Sequence, residues 1–221
     1  MNKVFLRDIE KLKDTLLRQA GEVESRLDIV LKSVELRDTR ALQVWMERDH
    51  EIDEREVAIE EDCLKTLALH QPVAKDLRFV IAVLKINNDL ERIGDIVVNI
   101  ADRGLRMAAF PALDLLSTLM EMGERARAML KESLDVLVSL NLAEALDIIR
   151  RDDEVDTMNH AIVQEVVKRV SIPEKAGSVE ALILAKSMAR DIERIADHAT
   201  NIAEDVAYLI DGTIIRHTGK K

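Results

Sequence analysis

Asn88-Asp89-Leu90-Glu91-Arg92-Ile93-Gly94-Asp95, followed by Asn99-Ile100-Ala101-Asp102, returns about a hundred positions later. The second copy reads Arg190-Asp191-Ile192-Glu193-Arg194-Ile195-Ala196-Asp197-His198-Ala199-Thr200-Asn201-Ile202-Ala203-Glu204. Upstream of each copy lies another matched pair. Arg48-Asp49-His50-Glu51-Ile52-Asp53 answers to Arg151-Asp152-Asp153-Glu154-Val155-Asp156. Amphipathic helices share apolar positions by chance, but the same Asp, Glu, Arg and Asn at equivalent sites indicate a duplicated domain.

Around these stretches the apolar residues recur every three or four positions, the period of a helix. Pro72, Pro111 and Pro173 break the pattern, and Asp38-Thr39 and Asn141 read as helix starts. The expectation is an all-α protein of six long helices, near 2–36, 39–70, 73–108, 112–139, 142–171 and 175–210. These form two tandem, structurally similar three-helix bundles. Residues 1–109 make the first repeat, 110–212 the second and 213–221 a short basic tail. Composition agrees: aromatics are 2% of 221 residues, with seven Gly and three Pro, too few turn formers and ring side chains for a sheet protein.

The formal net charge of −10 argues against direct nucleic-acid binding. The one cysteine, Cys63, permits no internal disulfide and suits a reducing compartment. Charges enter at the start of the chain, with no signal-peptide pattern and no apolar run of the roughly 20 residues that would cross a bilayer. A cytoplasmic protein is expected, touching membranes only through partners.

The acidic residues carry the chemistry. Asp49/Asp53 with Glu91/Asp95, and Asp152/Asp156 with Glu193/Asp197, are i, i+4 pairs, each on one helical face. Folding 39–70 against 73–108 about Pro72 brings the first two pairs to one level. Folding about Pro173 does the same for the second two. Four carboxylates at one height form a set of hard oxygen ligands suited to Fe, Mn, Mg or Ca, or to Zn at an open site. The same residues also fit a solvated acidic face, relieved by Arg48, Arg92, Arg151 and Arg194.

No enzyme signature accompanies them. Cys63 falls on an apolar stripe, His50, His70, His160 and His217 lack a nucleophile at a recognisable spacing, and no glycine-rich phosphate loop is present. Ferritin-like di-iron bundles use Glu-x-x-His pairs, which do not accompany these acids. The competing non-enzymatic reading is a metal-binding helical scaffold or metal buffer.

The duplicated Asp-x-Glu-Arg-Ile-(Gly/Ala)-Asp stretches and the paired Arg-Asp-x-x-(Ile/Val)-Asp segments resemble the PhoU family over essentially the whole chain. The resemblance implies multinuclear iron or zinc held by Asp49, Asp53, Glu91 and Asp95, and by Asp152, Asp156, Glu193 and Asp197. Asn88, Asn99 and Asn201 are further candidates. Many members have His after the final Asp; here the second copy has His198 and the first has Ile96, which would leave the first site weaker, differently loaded or empty. The implied role is negative regulation of the phosphate-starvation response and of phosphate uptake. It would act through the ATPase subunit of a phosphate ABC transporter and a sensor histidine kinase, with the chain as a homodimer.

Overall fold

The computed structural model describes residues 3–48, 50–171 and 178–213. Among these there is no strand, and the helices are α1 (Lys3–Leu36), α2 (Thr39–Met46), α3 (His50–His70), α4 (Ala74–Met107), α5 (Leu116–Ser139), α6 (Leu142–Val170) and α7 (Val179–Asp211). Both expected starts are capped by side chains. Asp38 accepts from the backbone N–H of Arg40 and Ala41, each at 3.1 Å, and Asn141 accepts from Ala143 at 3.1 Å. Ser178 does the same for α7, and Gly212, at φ +80°, closes that helix by donating to the Tyr208 carbonyl.

Two boundaries differ from expectation. The single helix over 39–70 is interrupted at Glu47–Arg48. The Arg48 carbonyl there accepts from the Arg26 guanidinium at 2.8 Å. The Arg48 guanidinium stacks on Trp45 and pairs with Glu51 at 3.0 Å. Side-chain bonds to α1 and to the flanking turns take the place of helical ones. The helix expected from 112 starts at Leu116, after a turn in which Leu116 donates to Leu113. The turn expected at Pro173 lies outside the described residues.

α1, α2–α3 and α4 form the first bundle; α5, α6 and α7 form the second. The two anticipated core stripes are buried: Ile86, Leu90, Ile93, Val97 and Ile100 on α4, and Met188, Ile192, Ile195, Ala199 and Ile202 on α7. Each fully buried large aliphatic stabilises the fold by about 1.5–3 kcal/mol relative to exposure. α7 packs on α4, α5 and α6 at once. Its buried alanines, among them Ala185, Ala189, Ala196, Ala203 and Ala207, let three neighbours approach closely. α4 and α7 run antiparallel, because Lys85 meets Asp205 while Arg103 meets Asp191. This seam joins the bundles into one continuous core.

Candidate metal centre

In the hairpin α3–α4, Gly94 sits against Ile52. A Cβ there would lie 2.7 Å from Ile52 Cδ1, so the absent methyl is what lets Ile52 seat against the α4 backbone. Asp53 follows Ile52 and Asp95 follows Gly94, so the same close approach brings carboxylates of the two helices together. Asp53, Glu91 and Asp95 each offer an oxygen within 4.8 Å of the others, with Asp53 exposed and the other two half-buried. Asp49 lies outside the described residues. Burial pushes the Glu91 carboxyl above its ordinary range, and Asp95, Asp53 and Glu56 push it further, against the pull of Arg92. Glu56 is raised the same way, first by burial and then by Glu60 and Asp53. Arg92 lies 3.4 Å from Glu91 and 3.7 Å from Asp95, so one guanidinium answers three carboxylates, and a bound cation would offset the remaining negative charge.

The equivalent acids of the second repeat do not gather in this way among the described residues. Asp152 and Asp156 are half-buried on α6, and Asp197 is exposed on α7. Glu193 is buried and accepts from Arg190 one turn earlier. His198 does not join Glu193 and Asp197. It turns across the seam, its Nδ1 2.8 Å from the Asp89 carboxylate, where Asn201 also donates at 3.4 Å. Asn88 and Asn99 are exposed on α4. The repeat that carries the histidine is therefore not the one that assembles three carboxylates.

Other members of the repeated segments bind the bundles together, a role their spacing did not disclose. Asp89 and Asp191, equivalent in sequence, both face the seam: Asp89 meets His198 and Asn201, and Asp191 meets Arg103. Burial raises the Asp191 carboxyl although Arg103 and Arg194 pull it down. Glu51 and Glu154 tie each bundle internally. Glu51 accepts from Arg26 at 2.6 Å and Glu154 from Arg125 at 2.8 Å. Each arginine also holds the glutamate four residues before it, Glu22 or Glu121. Their duplication in the repeated segments was the available signal. Cys63 is fully buried and its thiol is pushed up to about 12, chiefly by burial, which keeps it unreactive.

The sequence model of the PhoU domain matches the chain twice, over residues 16–104 and 119–206, one match in each bundle. The chain belongs to the PhoU family. It is 34% identical to the phosphate-specific transport system accessory protein PhoU homolog of Clostridium acetobutylicum over 211 residues, 95% of each chain. It is 32% identical to PhoU of Serratia marcescens over 97% of this chain and 88% of that one. The crystal structure of PhoU from Pseudomonas aeruginosa superposes with a TM-score of 0.86 at 32% identity, covering 95% of this chain and all of that one. The phosphate transport system regulatory protein PhoU of Streptococcus pneumoniae gives a TM-score of 0.87 at 26% identity, over 95% of this chain and 98% of that one. The PhoU resemblance and the all-α tandem fold are thereby established. No helix among the described residues is long and apolar enough to cross a membrane.

Proposed function

We propose that this PhoU-family chain is a non-enzymatic accessory protein of a phosphate-specific transport system. It acts as negative regulator of the phosphate-starvation response and of phosphate uptake. The observation that supports the reading is similarity over nearly the full length of both chains to proteins named phosphate-specific transport system accessory protein and phosphate transport system regulatory protein. Regulation would run by contact, with the transporter's ATPase subunit and the sensor histidine kinase as partners, from a cytoplasmic location and as a homodimer. Its test is a phosphate-starvation reporter in cells stripped of every PhoU-family chain and grown in plentiful phosphate. The reporter should switch on, and this chain alone should silence it. A reporter that stays on in the presence of this chain overturns the reading.

Within that role, Asp53, Glu91 and Asp95, with Asp49 beside them in sequence, would hold a divalent cation such as iron or zinc. The three hard oxygens would fit one ion, whose charge would offset the burial and the neighbouring carboxylates that raise the Glu91 carboxyl. The cation would supply positive charge that clamps α3 to α4. The carboxylate cluster also favours the second reading, a metal-binding scaffold or buffer with no phosphate-specific role, and the reporter separates the two. Asp152, Asp156, Glu193 and Asp197 remain the proposed ligands of a second centre, one that needs Glu193 released from Arg190.

A further inference from the structure

The two bundles leave a cleft of about 360 Å³ between them, none of whose lining residues belongs to the acidic centre. Its volume lies in the range that small ligands occupy, and the junction of two domains is a common place for such sites. The walls come from four helices. α1 supplies Ile9, the first turns of α4 supply Phe79, and the ends of α5 and α7 supply Leu137 and Ile210. The lining is therefore mostly apolar and drawn from both repeats.

The rim carries the opposite chemistry. Lys13 on α1 and Lys75 on α4 border the cleft, and neither makes an ion pair among the described residues. Among the described residues six of the ten lysines pair with carboxylates, while Lys3 and Lys186, like these two, do not. Lys11, Lys32, Lys65, Lys85, Lys131 and Lys168 all find carboxylates. Asp76 is the one acid lining the cleft, and it sits in the first turn of α4, where the helix terminus offsets its charge. Two lysines without a carboxylate partner beside an apolar lining are complementary to an anionic head on an apolar tail.

We propose that this cleft binds one medium-chain fatty-acid carboxylate, its head between Lys13 and Lys75 and its chain along Phe79, Leu137 and Ile210. Because the walls belong to both repeats, an occupant ties α1 and α4 to α5 and α7.

The test is isothermal titration of the full chain with sodium dodecanoate, kept below its micelle concentration. Saturable binding of one molecule per chain is expected. Decanoate, two methylenes shorter, should bind about tenfold more weakly, the loss of buried hydrocarbon. Dodecyltrimethylammonium, with the same tail and the opposite head, should not compete. K13E/K75E should weaken dodecanoate about tenfold or more. L140D places a carboxylate at the half-exposed lip of the same cleft and should weaken it too, with helical circular dichroism and melting unchanged in both variants. No saturable binding, equal uptake of both head groups, or unaltered affinity in a folded K13E/K75E would each overturn the proposal.

Discussion

The hairpins α3–α4 and α6–α7 carry the same acids in the same order, yet they spend them differently. In the first, Ile52 packs on Gly94 and three carboxylates converge beside the contact. In the second, the matching positions are Val155 and Ala196, both buried, so a methyl has moved from one helix to the other. Glu193 there is bonded to Arg190, and His198 leaves for the seam. Duplication copied the residues; the partners each copy meets decide whether an acid becomes a ligand or a strut.

The largest contrast should appear in metal content. Titrated with Fe(II) or Zn(II) after chelation, E91A/D95A should lose the tightest-bound ion. E193A/D197A should retain it, as read by elemental analysis per folded chain. Equal losses in the two variants would remove the distinction between the hairpins.

Next come the struts. D191A leaves the part-buried Arg103 without its seam partner and should cost about 3 kcal/mol in urea unfolding. D89A removes bonds to His198 and Asn201 and should cost less, about 1–2 kcal/mol. A larger effect at Asp89 would invert this ranking of the seam's two ends.

A smaller effect tests the relocated methyl. G94A forces Ile52 Cδ1 to move, an overpacking cost of about 1–3 kcal/mol, partly offset by the about 1 kcal/mol that alanine gains over glycine in a helix. I52V deletes that atom. The double variant, which recreates the second repeat's pair, should be more stable than the two single changes predict, by about 1 kcal/mol in a double-mutant cycle. Strict additivity would show that Gly94 is not what sets the approach of α3 to α4.

The smallest is electrostatic. With metal removed, the folded Glu91 carboxyl lies above its ordinary value of 4.5. Its proton-linked contribution to stability is fully present below that value and is lost as pH rises through the folded one. E91Q should therefore be more stable than the parent at pH 7, by about 0.5 kcal/mol, since the amide escapes the burial of a charge and the push of Asp95 while giving up the contact with Arg92. The gain should vanish as pH falls below 4.5. A variant no more stable than the parent at pH 7 would mean that burial and the neighbouring acids do not disfavour the ionised Glu91.

Apolar periodicity, the prolines and the capping residues Asp38 and Asn141 were enough to set the helices and the duplication, because they act over a few neighbouring positions. The level at which α3 meets α4 could also be read, since an antiparallel hairpin fixes register by counting from its turn. Helix-breaking at Glu47–Arg48 could not, because it depends on Arg26, which is remote in sequence and arrives only when α1 packs. Nor could the fates of Asp89, Asp191, Glu51 and Glu154. A carboxylate looks the same in a sequence whether it will face a cation, an arginine or water. Only the tertiary structure, by fixing which helix faces which, assigns the charge that each one answers.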